Sequence, residues 1–288
     1  MAKILVTGST GFIGKSLIAN LNLLEHDIEV MDRSCGDITD PKAWDKFTFS
    51  DIVIHLAALT FVPNSWNEPY NYINTNLLGT ICALDYCKKH GAKLIFLSTY
   101  MYGLPESLPI SENAKLSAFN PYALSKKMGE DACLFYANNF NVKVIILRPF
   151  NVYGPGQSID FLIPSIINQT LAGEEITVKV LEPKRDYVYI DDLVNFIIAT
   201  LEFDNQPFTV FNVGTGKSYS VAELINIIQQ SLGTNLPVKS SGEKRQKEVM
   251  DTRADITKAA EILKWAPSWT LKQGIDQILS FELKKEEN

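Results

Sequence analysis

Tyr122 and Lys126 stand four residues apart in "NPYALSKKMGE", residues 120–130, just after an Asn-Pro of the kind that opens a helix. Residues at i and i+4 share a helix face, so the two side chains project together. An ammonium beside a phenol stabilises the phenolate and lowers its pKa from about 10 toward working pH, where it can exchange a proton with a hydroxyl. On its own such a pair is common and usually structural, a helix aromatic beside a surface lysine; neighbouring motifs decide. Ser98, in "FLSTYMYG" at 96–103, ends a run that predicts a strand, and ligands of open parallel sheets bind at such ends. Its hydroxyl can hydrogen-bond the oxygen that Tyr122 would protonate.

A second chemistry is written in "ILVTGSTGFIGKSL", which puts Gly8, Gly11 and Gly14 directly after the first predicted strand and at the start of a helix. Glycines there permit a tight turn, close approach of the backbone to a pyrophosphate, and a helix N-terminus aimed at negative charge. Asp32 ends the second predicted strand, where a carboxylate can accept bonds from ribose hydroxyls. Arg33 can stack on adenine or meet a 2′-phosphate that Asp32 would repel, so NAD is favoured with NADP as the alternative. Asp37 and Ile38, in "GDITD", border the adenine in this reading. The competing reading is a triphosphate-binding loop ending in "GKS" at 14–16. It needs glycine at position 9, which is Ser9, and Lys15 is then a solvated helix residue.

Apolar runs at 3–7, 28–32, 51–57, 93–99, 143–150 and 208–214 alternate with helical patterns. Continuous apolar strands between amphipathic helices predict a doubly wound α/β fold, a parallel sheet covered on both faces. Past residue 150 the chain grows richer in Gly, Pro and loop signals. The expected division is a dinucleotide-binding domain of residues 1–152 with about 185–215, and a smaller discontinuous lobe of about 153–184 with 216–288.

Composition narrows the partners. The 288 residues are 46% hydrophobic and 21% charged, ordinary for a globular protein. A net charge of −6 argues against a nucleic-acid partner, which asks for a concentrated basic face. The start "MAKILVTGST" lacks a signal-peptide shape and no apolar stretch approaches the roughly 20 residues of a membrane span, so the expected location is the cytoplasm. Cys35, Cys82, Cys87 and Cys133 show no CxxC spacing, and His26, His55 and His90 have no ligand spacing, so no metal is expected.

Together the glycine loop, Asp32, Ser98, Tyr122 and Lys126 resemble the extended branch of the short-chain dehydrogenase/reductase superfamily, the nucleotide-sugar epimerase/dehydratase family. The likeness runs through "TGSTGFIG", "HLAA" at 55–58, "NTNLLGT" at 74–80, "NPYALSK", "RPFNVYGPGQ", "RDYVYIDDL", "NVGTG" and the C-terminal stretch 254–275. The resemblance implies that Tyr122 is the acid/base, that Ser98 polarises the substrate oxygen, and that Lys126 holds the nicotinamide ribose while tuning Tyr122. It adds Phe12, Ile13, Leu56, Ala57, Ala58 and Asn76 to the cofactor contacts. For the sugar nucleotide it implies Thr60, Ser65, Thr99 and Tyr100, with Asn151, Arg185 and Arg245 where the diphosphate binds. The usual Arg-Pro-Gly-Asp context of Arg245 has become "RQKE". A homodimer, with the tyrosine helix in a four-helix bundle, is likewise implied by the resemblance.

The residues also divide the family's reactions. The Asp and Glu that family 4,6-dehydratases carry after the catalytic hydroxyl are Thr99 and Tyr100, and the decarboxylases' glutamate is missing. Elimination then lacks its proton acceptor. Two reactions remain: 4-epimerisation of a nucleotide-linked hexose, or one-way reduction of a 4-keto sugar. The motifs of the second half resemble epimerases. The short segment between Asp32 and "GDITD", without the family's extra strand, and Tyr100 resemble the reductases. A dinucleotide-binding protein without catalysis is the third reading, opposed by the intact Ser98, Tyr122 and Lys126.

Overall fold

A computed structural model describes residues 2–173, 175–204, 206–243 and 248–286. Five of the apolar runs become β1 (Lys3–Thr7), β2 (Asp27–Met31), β3 (Ile52–His55), β4 (Lys93–Leu97) and β5 (Val144–Pro149), and the sixth becomes β6 (Phe208–Val213). They form one sheet in the order β6-β5-β4-β3-β1-β2, parallel at every junction. Such strands are apolar on both faces because helices cover both. Every residue of β3 and β5 is buried.

The glycine turn leads from β1 into α1 (Phe12–Leu23), the family-like "NTNLLGT" enters α2 (Gly79–His90), and α3 (Pro121–Phe140) carries the tyrosine. The entry of α3 is fixed by sequence: Asn120 caps it by accepting the Ala123 amide at 2.7 Å, and Pro121 supplies a helical φ without needing a partner for an N–H. One large core cluster joins the α1 side of the sheet to the second half of the chain, including Ile166, Leu224 and Ile275. A second lies on the α2–α3 side around Val53, Phe96 and Cys133.

From β2 to β3 the chain makes no strand, only a turn of helix at Pro41–Trp44. β2 is therefore an edge, and the chain reverses direction between β1 and β3, beside the glycine turn, where open sheets leave a crevice. The later segment adds short strands: Asn151–Tyr153 beside Tyr187–Tyr189, Ile176–Val178 beside Val238–Ser240, and Lys184–Arg185 between Tyr219–Ser220 and Asp251–Thr252. No helix among the described residues is long and apolar enough to cross a membrane.

Candidate active site

A cavity of about 2130 Å³ runs along the C-terminal ends of the strands. Its wall includes Gly8, Gly11, Phe12, Ile13 and Gly14 at one end, then Asp32, Arg33, Asp37 and Ile38, then Leu56, Ala57, Ala58 and Thr60. Ser98, Thr99, Tyr100, Tyr122 and Lys126 follow, and Asn151 and Arg185 lie farther along. Residues up to 244 positions apart in sequence, Gly8 and Thr252, thus share one surface.

The glycine turn needs its glycines. Gly8 has φ +72°, and a Cβ there would sit 2.7 Å from the Ala57 nitrogen; a Cβ on Gly14 would meet the Gly8 carbonyl oxygen at 2.2 Å. The turn is drawn tight against β3 and α1 starts immediately. Gly11, the N-cap, offers no side-chain acceptor, so the first amides of a twelve-residue helix face the cavity end without a side-chain cap. The Ser9 hydroxyl beside them is buried without a partner. This donor set fits a pyrophosphate. Asp32 completes the cradle: its Oδ1 accepts the Ser34 hydroxyl and amide at 2.5 and 2.9 Å. Those bonds, the hydroxyl first, hold its carboxyl below the usual range. Asp37 is held down by the Thr39 amide and hydroxyl in the same way. The residues present therefore fit a dinucleotide.

Around Tyr122 and Lys126, charge is suppressed. Burial pushes the Tyr122 phenol up to about 12, and a hydrogen bond with the Thr99 side chain draws it back only in part. Lys126 is 2% exposed and its ammonium lies over the Phe96 ring at 4.5 Å. Burial pushes it down to about 8, against weaker upward pulls from Cys133 and Glu130. The expected lowering of Tyr122 by Lys126 is thus corrected: Lys126 is not among the influences on the phenol, burial outweighs the Thr99 bond, and the phenol is neutral at pH 7. Ser98 is 3% exposed and its hydroxyl has no partner although it lines the cavity. A buried hydroxyl left unpaired normally costs free energy, so a donor or acceptor is expected to meet it there.

Two residues expected to touch ligands lie off the cavity wall. Ser65 is fully buried and donates to the Val62 carbonyl at 2.7 Å, inside the short helix Val62–Asn67. Asn76 is a clamp: its Oδ1 accepts the Leu59 amide at 2.8 Å, and its Nδ2 donates to the Leu59 carbonyl and to the Ser125 hydroxyl. The Ser125 hydroxyl in turn donates to the Tyr122 carbonyl at 2.8 Å, so Asn76 ties the "HLAA" loop to the tyrosine helix. Arg245 lies outside the described residues.

Further contacts shape the wall, and of their residues Phe150, Phe161 and Glu248 were not singled out from sequence. Phe150 stacks on Tyr100 with ring centres 4.7 Å apart and planes 8° apart, and the Tyr100 hydroxyl donates to Asn151 at 3.3 Å. Phe61 meets Phe161 edge to face at 6.0 Å. Glu248 binds the Arg185 guanidinium at 2.5 Å, so that cation already has a carboxylate partner. Phe150 sits within "RPFNVYG" and Glu248 ends "RQKE", so the motifs held the signal. Among the described residues no group of three His, Cys, Asp or Glu is placed to hold a metal.

Comparison with known proteins places this geometry. The family model described as "NAD dependent epimerase/dehydratase family" matches residues 4–214. A Methanocaldococcus jannaschii protein provisionally named UDP-glucose 4-epimerase is 32% identical, over 96% of this chain and 97% of its own. A GDP-6-deoxy-D-mannose reductase of Pseudomonas aeruginosa is 30% identical over 96% of each. The crystal structure of a UDP-glucose 4-epimerase from Thermotoga maritima, solved with UDP-glucose, is 29% identical and superposes with a TM-score of 0.89 over 99% of both chains. With its glycine turn, its parallel sheet and its match over most of the chain, this protein belongs to the NAD dependent epimerase/dehydratase family.

Proposed function

We propose that the protein carries out NAD(P)-dependent redox chemistry at C4 of a nucleotide-activated hexose, as a 4-epimerase. The observation that carries this reading is the buried, unpartnered Ser98 hydroxyl on the same cavity wall as Tyr122 and Lys126, next to the glycine turn. In it, Gly8, Gly11, Gly14 and the α1 amides hold the pyrophosphate, Asp32 the adenosine ribose, and Lys126 the nicotinamide ribose. The bound dinucleotide supplies a place for the hydride that leaves C4.

Ser98 donates a hydrogen bond to the sugar's C4 oxygen and fixes its distance from Tyr122. Tyr122 takes the proton of the 4-hydroxyl as that oxygen becomes a carbonyl, and returns it when the C–H bond reforms on the other face. As a neutral phenol Tyr122 is ready for the second step. The first requires the phenolate, which positive charge beside the phenol would stabilise, and an oxidised nicotinamide would supply such a charge. Thr60, Thr99, Tyr100 and Asn151 line the sugar's place. Arg185 meets the diphosphate by exchanging its carboxylate partner for a phosphate.

Relatives of both kinds support the outline: a UDP-glucose 4-epimerase and a GDP-6-deoxy-D-mannose reductase. The second reading, an NAD(P)H-dependent reductase of a 4-keto-6-deoxysugar nucleotide, is favoured by one feature. With no strand between β2 and β3 the adenine side is shallow, which suits a cofactor that exchanges each turnover. The division into 1–152 with about 185–215 for cofactor, and the remainder for sugar nucleotide, belongs to this proposal. So does a cytoplasmic homodimer, supported by exposed Leu134 and Phe135 on α3. Gel filtration followed by absorbance and mass analysis tests the function. NAD carried through the column with interconversion of UDP-glucose and UDP-galactose is expected. NAD(P)H consumption only with a 4-keto sugar nucleotide would replace the epimerase by the reductase, and inactivity across such a panel would end both.

A further inference from the structure

Behind the cavity, Arg148 and Glu130 form an ion pair with side chains only 7% and 5% exposed. The contact is bidentate: Nη2 donates to Oε2 at 2.6 Å and Nε to Oε1 at 3.0 Å. Arg148 spends its remaining reach on two more bonds, from Nη1 to the Tyr102 hydroxyl at 3.1 Å and to the Glu112 carbonyl at 3.0 Å. The Tyr102 hydroxyl donates to Asn212 at 2.5 Å, and Asn212 binds the Ile110 carbonyl and the Glu112 carboxylate.

The positions of these partners matter more than their number. Glu130 lies on α3, one turn beyond Lys126 and two beyond Tyr122, on the same face. Arg148 lies on β5 between Leu147 and Pro149, whose carbonyls accept the amides of Ser98 and Tyr100 at 2.8 and 3.2 Å. Tyr102 ends the segment that begins with Ser98. One side chain thus joins the strand that pairs with the Ser98 segment to the helix that carries Tyr122 and Lys126.

We propose that Arg148 and Glu130 are positioning residues, a strut that sets the separation between the Ser98 hydroxyl and the Tyr122–Lys126 face. Stability alone explains the pair poorly, because well-packed apolar residues of similar volume commonly replace a buried ion pair without loss of stability. What apolar residues cannot reproduce is direction: a fork with bonds at fixed angles holds the strand and the helix in one register. Acid–base catalysis needs that register, since its groups must lie within hydrogen-bond reach of one oxygen.

The inference rests on the roles proposed for Ser98 and Tyr122, so its test runs on two readouts. Glu130→Gln, Arg148→Met, the double variant Glu130→Leu/Arg148→Met, and Tyr102→Phe, which removes one hydroxyl from the network, are assayed with UDP-galactose. Assays run well below each melting temperature, with Tyr122→Phe alongside. The expected result is kcat lowered tenfold or more in the double variant with KM within about threefold, and a loss no greater than that of the worse single variant, as for residues acting as one unit. Hydrogen exchange of the same variants should quicken at 98–103 while residues 4–7 stay protected. Unchanged kcat and unchanged exchange in folded double variant and in Tyr102→Phe would overturn the strut. Full activity in Tyr122→Phe would instead overturn the roles assigned to the site, and the exchange result would then decide the strut alone.

Discussion

The two ends of the one cavity treat charge in opposite ways. At the adenine end Asp32 and Asp37 are near water, and local hydroxyls and amides hold their carboxyls below the ordinary range, so both stay charged. At the catalytic end burial raises Tyr122 to about 12 and lowers Lys126 to about 8, each toward its neutral form. The contrast follows from the task. In the proposed function a group that only binds keeps a fixed charge, whereas one that passes protons must lie where its two forms can be brought close in energy by what binds beside it.

The largest effect expected from breaking this contrast is at Tyr122. Tyr122→Phe removes the proton carrier and keeps the ring, so kcat should fall by about 10²-fold or more while NAD affinity and melting temperature hold. Steady-state kinetics with UDP-galactose check this; a fall confined to KM would move Tyr122 from chemistry to binding.

Lys126 tests the same end through stability. Its ammonium is buried, so the folded protein holds that proton less tightly than the unfolded chain, whose lysine stays near its ordinary value of 10.5. The unfolded state binds more protons between about 8 and 10.5, and stability therefore rises with pH across that window and carries the full penalty below it. At about 1.4 kcal/mol per pKa unit the penalty is about 3 kcal/mol. Lys126→Met should be inactive yet melt higher than wild type at pH 7 without cofactor, and the gap should close toward pH 10.5. Calorimetry at the two pH values decides; a variant that melts lower at pH 7 contradicts the burial argument.

How much of this was legible in the sequence differs by length scale. Each strand of the main sheet matches one apolar run to within two residues at either end, because a buried parallel strand is apolar on both faces; the edge strand β2, with Asp27 and Glu29 and only Met31 buried, is the exception. The two- and three-residue strands around Arg185 are too short to carry a period and were not foreseen. The motifs named Ser98, Tyr122 and the glycine turn, which share one cavity wall. They misdirected Ser65 and Asn76, because whether a polar side chain faces a cavity or a carbonyl depends on contacts that form only in the fold; Asn76 is tied to residues 17 and 49 positions away. The electrostatics of Tyr122 were misjudged for a similar reason. Spacing puts Lys126 on its face, but desolvation is a property of everything packed around both.

At the adenine end the effects are smaller and fall on binding. Asp32→Ala should weaken NAD binding about tenfold, the order expected for charge-assisted hydrogen bonds to ribose, with kcat at saturating cofactor unchanged. Titration by fluorescence of NADH measures it. The same variant should narrow any preference against NADP, since the carboxylate that repels a 2′-phosphate is gone while Arg33 remains.

Ser34 gives the finest test of the contrast. Its hydroxyl and amide both bind Asp32 Oδ1, and Ser34→Ala removes only the hydroxyl bond, the larger of the two influences on that carboxyl. Asp32 is still charged at pH 7, so its charge does not change; what changes is how firmly one oxygen is aimed. NAD affinity should then fall only about two- to threefold, with no change in kcat or melting temperature, because the amide still holds the turn. If Ser34→Ala weakened binding as much as Asp32→Ala, direction rather than charge would govern the adenine end. The two ends of the cavity would then differ in which groups are aimed, and no longer in how they hold charge.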